Sequence, residues 1–180
     1  KLSKNFDPKI LSVSHVGSRG EGVAELFTEF DYKEQNYNFF IPFSLPNELI
    51  LAKPNYFSAE GVRAELLELK QPSSERVEPK CKHFFKCGGC TLQHWNFKNY
   101  NNWKTNKVFS QINILSPSVE IKEMLTSSLK NRRHAKFIAK KTKSDTVIGF
   151  NEYKSHFISE IDECIILHEV LIKTLKEIKA

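Results

Sequence analysis

Four cysteines carry the most specific chemistry in this sequence. Cys81, Cys87 and Cys90 follow the spacing C-x5-C-x2-C, and Cys164 stands alone far downstream. Thiolates bind soft metals, and four of them can close a tetrahedral Zn²⁺ site or hold a [4Fe–4S] cluster. Zinc sites usually come as two short C-x2-C knuckles, so three local ligands and one remote ligand suit a cubane better. Gly88 and Gly89 let the backbone pass close to an ion or cluster. A disulfide framework is disfavoured, because nothing at the N-terminus reads as a secretion signal and a reducing compartment keeps thiols free. The ligand set uses every cysteine, so none is left over as a catalytic thiol.

Basic and aromatic residues surround these cysteines. Lys82, His83 and Lys86 lie within the loop, and Gln93, His94 and Trp95 follow its last cysteine. Gln93 and His94 are candidate nucleic-acid contacts, although His94 reads equally as a satisfied histidine near the metal. Lys130, Asn131, Arg132, Arg133 and Lys136 form a second candidate set, with guanidinium forks and amines suited to phosphates. The plainer reading of that set is a solvated strand edge protected by charge. Residues 81–150 hold 13 Lys/Arg against 3 Asp/Glu, a net of +10, while residues 1–80 and 151–180 each sum to −2. A block this basic is either a solvated face or a surface for a polyanion. Interleaved His and aromatic residues favour nucleic acid over a membrane surface, since no strong basic amphipathic helix occurs there.

Short elements must position these groups. Ile10–Val16 alternates apolar and polar residues and stops at Gly17, and a turn with three glycines leads into Val23–Phe27. Further strands are predicted at Asn38–Phe43, Leu49–Ala52 and Gly61–Leu69, which gives five with turn signals between them. That pattern suggests a small OB-type barrel over residues 1–71. Residues 71–76 read as a polar linker, and residues 72–180 as an α+β domain around the metal. In that domain Phe97, Tyr100, Trp103, Val108 or Phe109, Ile112 and Leu115 recur at helical spacing, with Pro117 just past the end. Their Trp103–Phe109 stripe is expected to be core packing. Strands are predicted at His134–Ala139, Thr146–Phe150 and His156–Ile161, the first two joined by a turn at 141–145. A closing helix would carry Leu167, Val170, Leu171, Leu175 and Ile178 on its apolar face. The chain has 180 residues, 40% hydrophobic with 14 Phe, which supports real cores and excludes a disordered polypeptide. No apolar run reaches the roughly 18–20 residues a membrane span needs, so the expectation is a cytoplasmic protein.

The stretch from Cys81 through Cys87, Gly88, Gly89 and Cys90 to His94 closely resembles the cluster loop of the RNA 5-methyluridine methyltransferases, those of 23S rRNA in particular. The path from Ile148 through Ile161 to Cys164 resembles that family's approach to its fourth ligand. Leu129-Lys130-Asn131-Arg132 is similar to the family's Tyr-Arg-Asn-Lys/Arg motif, with Leu129 in place of tyrosine. The N-terminal strands resemble a TRAM domain, with Ser14–Gly17 and Phe40–Glu48 as its markers and Asn47 where glycine is usual. The resemblance runs essentially from residue 8 to residue 175.

This likeness implies a TRAM barrel, a central domain whose [4Fe–4S] cluster is held by Cys81, Cys87, Cys90 and Cys164, and RNA, ribosomal above all, as partner. It also implies a further domain that binds S-adenosylmethionine and carries the nucleophile. No Gly-rich strand-to-helix motif for the methyl donor occurs in this sequence. The chain is therefore expected to be an N-terminal RNA-binding portion, with no catalytic residue of its own and its methyltransferase domain missing or separately encoded. The alternative is a stand-alone RNA-binding iron–sulfur or zinc protein. A radical S-adenosylmethionine enzyme fits poorly, because those resemble one another in a C-x3-C-x2-C cluster motif and this spacing differs.

Overall fold

The computed structural model describes residues 6–30, 33–116, 118–120, 122–143 and 145–179. Alternation in the first strands decides which side chains turn inward: Leu11 and Val13 are buried, while Ile10 faces solvent. The expected strand at 10–16 is broken in two, β1 (Lys9–Ser12) and β2 (His15–Val16). The remaining strands of this sheet are β3 (Gly22–Phe30), β4 (Lys33–Ile41), β5 (Leu49–Ser58) and β6 (Gly61–Gln71), several longer than predicted. They assemble in the order β1-β5-β6-β4-β3-β2, with β4 and β6 parallel and every other pair antiparallel. Since β1 and β2 are successive pieces of one segment, the two ends of the sheet are held by the same stretch of chain. Between them Val13 N–H donates to Glu48 O and Ser14 N–H to Val23 O, which fastens the break on both sides.

The fold is mainly β, and its first core lies inside this sheet. Leu11, Val13, Ala24, Phe39, Ile41, Ile50, Ala52 and Val62 are all buried there. Phe30 meets Phe6, Tyr37 and Phe57 edge-on at centroid separations of 5.1–5.2 Å. Each such pair contributes about 0.5–1.5 kcal/mol beyond the burial of its rings. Pro54, with no N–H to give, sits next to a register shift in β5, where the ladder is already interrupted.

Residues 6–77 and 94–119 form one compact unit, and 78–93 with 120–179 form the other. Residues 72–77 and 94–119, which the sequence reading assigns to the second domain, therefore group with the six-stranded sheet. The stretch expected as a linker is fastened rather than loose. Glu48, fully buried, accepts from Leu45 N at 2.8 Å and Ser73 N at 3.3 Å. The Arg76 guanidinium closes on the same carboxylate at 2.6 and 2.9 Å and donates to Phe43 O. Residues 75–77 then run beside 94–96, with Val77 N–H donating to His94 O and Asn96 N–H to Glu75 O, each at 2.9 Å.

Helix α1 (Phe97–Leu115) begins at Asn96, whose side chain accepts from Asn99 N. It contains no buried residue, so the expected core stripe is corrected. Trp103 and Phe109 are half-buried, and Val108 and Leu115 are exposed. The Trp103 indole donates to Val16 O at 3.0 Å, and that polar tether keeps the ring near the surface. Pro117, named above for the helix end, and Ser144, within the turn expected at 141–145, lie outside the described residues.

In the second unit, β7 (Ile138–Lys141), β8 (Thr146–Asn151) and β9 (Ile158–Glu160) form an antiparallel sheet in sequence order. β7 starts later than predicted. The chain before it is engaged elsewhere: Arg132 N–H donates to Ile166 O and accepts at its own carbonyl from His168 N–H. Helix α2 (Glu169–Lys179) buries Leu175 and packs Leu171 and Ile172 around Ile148, Ile161 and Leu167. Val170 and Ile178, expected on that face, are exposed. Gly149 is required in β8, because a Cβ there would sit 2.0 Å from Ser159 O of the neighbouring strand. Among the described residues no helix is long and apolar enough to cross a membrane.

Candidate cysteine-lined site

The loop from Cys81 to Cys90 is shaped by its own backbone. Phe84 N–H donates to Cys81 O, Cys87 N–H to His83 O, and Phe85 takes a left-handed φ of 67° at the tightest point. The loop is then pinned to the end of β8, where Gly88 N–H donates to Asn151 O at 2.8 Å and Tyr153 N–H to Lys86 O at 3.0 Å. A side chain at residue 88 would meet Asn151 O at 2.8 Å, so this approach requires glycine. Gly89 directs its N–H toward the Cys87 sulfur at 3.4 Å.

Cys164 arrives from the segment between β9 and α2. A charged pair of partners brings that segment to the loop. Lys82 Nζ meets Asp162 at 2.8 Å and Glu163 at 3.6 Å, and His83 Nε2 meets Asp162 at 2.9 Å. The hydrogen bonds from Lys82 and His83 hold the Asp162 carboxyl well below the usual carboxylate range. Lys82 and His83, singled out above for their basic character, are thus engaged with acidic neighbours. Asp162 and Glu163 are the residues that sequence reasoning missed. The available signal was an acidic dipeptide directly before the remote cysteine, complementary to Lys82-His83.

All four cysteines line one cavity, together with Phe84, Phe150, Ile161, Leu167, Gln93 and Arg132 among others. The thiols of Cys87 and Cys90 are pushed up, first by burial, and the neighbouring cysteines add to this. The Gly89 N–H opposes the rise at Cys87, and the Gln93 side chain opposes it at Cys90. Crowded thiols that resist ionisation together are what a bound cation would relieve, because metal ligation deprotonates cysteine. Among the described residues no three His, Cys, Asp or Glu side chains stand close enough to hold a single ion. What the structure gives is the four thiols on the wall of one cavity.

The remaining candidates are scattered. Gln93 faces the cysteine cavity. His94 lies in the other unit and is fully buried, which favours the packed-histidine reading over surface contact. Its ring is 6.3 Å from that of Phe43, and burial, with help from the Arg76 charge, lowers its pKa to about 3. An unfolded histidine titrates near 6.5, so below that pH the unfolded chain binds a proton that the folded chain refuses. Stability should fall by up to about 1.4 kcal/mol per pH unit from roughly pH 6.5 down toward 3, and His94→Leu should flatten that slope. Denaturation followed by tryptophan fluorescence at several pH values checks this, and parallel profiles for the two proteins would refute it. Lys130, Asn131, Arg132, Arg133 and Lys136 are all exposed. Lys130 pairs with Glu169 at 2.6 Å, and Arg132 Nε donates to His134 O.

No protein-family model matches the chain. It is 32% identical over 169 residues to an uncharacterized RNA methyltransferase of Brucella melitensis, a match covering 94% of this chain and 38% of that protein. It is 30% identical over 184 residues to the 23S rRNA (uracil(1939)-C(5))-methyltransferase RlmD of Francisella tularensis subsp. novicida, covering 97% of this chain and 38% of that one. The chain is thus similar to part of two RNA methyltransferases, one of them a uracil-C5 methyltransferase. It spans well under half the length of these curated relatives, 38% in both cases. The crystal structure of Pyrococcus abyssi tRNA (uracil-54, C5)-methyltransferase in complex with S-adenosyl-L-homocysteine shares the fold. The TM-score is 0.57 at 22% identity, over 94% of this chain and 35% of that one.

Proposed function

We propose that this chain is the RNA-binding, iron–sulfur-holding portion of an S-adenosylmethionine-dependent enzyme that forms 5-methyluridine in 23S rRNA. The observation that carries the reading is that Cys81, Cys87, Cys90 and Cys164 line one cavity although Cys164 is remote in sequence. A [4Fe–4S] cluster there would supply a rigid thiolate-ligated centre that ties the Cys164 segment to the loop. No residue of this chain is assigned to methyl transfer. S-adenosylmethionine and the nucleophile are taken to belong to the remainder of the enzyme.

The first unit supports an OB-type reading. With β1 and β2 counted as one strand, the sheet has five strands and its first strand bonds at both ends, as in the barrel used by many oligonucleotide-binding domains. This chain's own share of the work is to grip RNA so that the rest of the enzyme can act on an extruded base. Arg133 and Lys136, exposed and without an ion pair among the described residues, are free to meet phosphates.

The deciding experiment is anaerobic purification of the chain followed by iron and sulfide analysis. About four of each per chain, with a brown colour, are expected for a cubane. A colourless chain with one zinc would remove the cluster and keep the ligand set. RNA binding is tested by anisotropy with a uridine-containing hairpin at several salt concentrations. Replacing Arg133 and Lys136 by alanine should flatten the log–log salt slope by about 1.4, from roughly 0.7 per neutralised phosphate of a single strand. An unchanged slope would return these residues to a solvated edge.

A further inference from the structure

The surface of the second unit carries large side chains that its core does not use. The cysteine loop and the β8–β9 connection form one piece of that surface. Cys87 bridges to Glu152, Tyr153 N–H donates to Lys86 O at 3.0 Å, and Glu152 N–H donates to Phe157 O at 2.9 Å. Two residues there take the left-handed backbone region, Phe85 at φ 67° and Lys154 at φ 49°. That conformation suits glycine or asparagine, and a bulky side chain held in it is strained. Burial does not explain the choice of phenylalanine. Phe84 supplies the packing, at 4% exposure, while Phe85 is 51% exposed and Phe157 76%. A turn that needed only its shape would carry asparagine at residue 85 and a polar residue at 157. Lys86 and Lys154 are exposed beside these rings, the first 3.5 Å from Glu152 and the second 5.3 Å over the Tyr153 ring.

We propose that Phe85 and Phe157 are a stacking platform for unpaired bases of RNA, with Lys154 placed to meet a flanking phosphate. The proposal rests on the RNA-binding reading above and names which part of an RNA this surface takes. Exposed aromatic faces beside amines are how proteins hold single strands, because every base has a π-face and the amines answer the backbone. A duplex keeps its base faces stacked on one another, so the platform selects loops, bulges or ends. The charge around the rings favours a polyanion over an apolar partner. Residues 81–90 hold Lys82 and Lys86 and no acid, and the only acid in 151–157 is Glu152, which Lys86 approaches. The strain at residue 85 keeps a ring outward where the turn alone would not need one.

The test uses the full chain, purified under argon, and fluorescence anisotropy with two probes at several salt concentrations. One probe is a uridine-containing hairpin with an unpaired loop, and the other is a blunt RNA duplex of equal length. Phe85→Asn and Phe157→Ala should each weaken hairpin binding about tenfold, within the range that removing a stacked ring gives. Duplex binding and the salt slope should stay as in wild type, because a ring neutralises no phosphate. Phe157→Tyr keeps a ring and should bind like wild type. Phe85→Asn should also raise the melting temperature followed by circular dichroism, since asparagine fits the left-handed turn. Full hairpin affinity in Phe85→Asn and Phe157→Ala would overturn the platform and leave the patch to a protein partner. Equal losses on the duplex would overturn it as well, and a lower melting temperature for Phe85→Asn would make Phe85 a packing residue. A wild-type chain that binds neither probe would overturn the RNA reading itself, and is seen before any variant is compared.

Discussion

Replacing Arg76 with leucine should destabilise the first unit by about 3–5 kcal/mol, the usual cost of stripping one partner from a buried ion pair. Glu48 is completely enclosed, and the Arg76 side chain is 17% exposed, so little water reaches the pair. The Leu45 and Ser73 amides would remain on the carboxylate, but two neutral donors do not replace a guanidinium bonded at 2.6 and 2.9 Å. The change would also free Phe43 O and loosen residues 73–77, which run beside 94–96. Trp95 and Trp103, the only tryptophans in the sequence, both belong to this unit, so their fluorescence reports its unfolding. A urea titration showing a loss below about 1 kcal/mol would mean that the carboxylate is solvated or neutralised after all. The companion variant Arg76→Leu with Glu48→Gln should recover part of the loss, because it no longer leaves a lone buried charge.

That pair also marks the limit of what could be read from the sequence. Residues 71–76 have the composition of a linker, and composition says nothing about a partner at Glu48. Arg63 and Glu21, 42 positions apart and joined at 2.8 Å, were equally invisible. Alternation at 10–16 separated Leu11 and Val13 from Ile10, and the structure buries that pair; for Phe39, Ile41 and Ile50 only the strands were legible, not the face they turn inward. The parallel pairing of β4 with β6 has no local signature, and neither does the break between β1 and β2. Helix α1 was readable as a helix but not in its exposure, since periodic apolar residues do not say what they pack against. The cysteines were the clearest signal. Their residue type is rare, their glycine spacing is demanding, and the structure gathers all four around one cavity.

Cys164→Ser should abolish stable iron loading and, only in the iron-treated protein, remove most of the second unit's resistance to heat and protease. The asymmetry follows from linkage: a ligand that binds the folded state stabilises it, and ligand loss withdraws only that increment. Without iron, Cys164 is one half-buried thiol packed beside Ile148, Ile161 and Leu167, and exchanging sulfur for a hydroxyl there costs little. The Lys82, His83 and Asp162 contacts still connect its segment to the loop, so the apo unit keeps its arrangement. In the proposed cluster the remote thiolate would be the covalent tie between the β9–α2 segment and the 81–90 loop, and three cysteines would leave one corner of a cubane without a thiolate. Melting curves and limited proteolysis of wild type and variant, each with and without reconstitution, separate these cases. Equal shifts in apo and iron-treated protein would assign Cys164 to packing alone and break the four-cysteine ligand set.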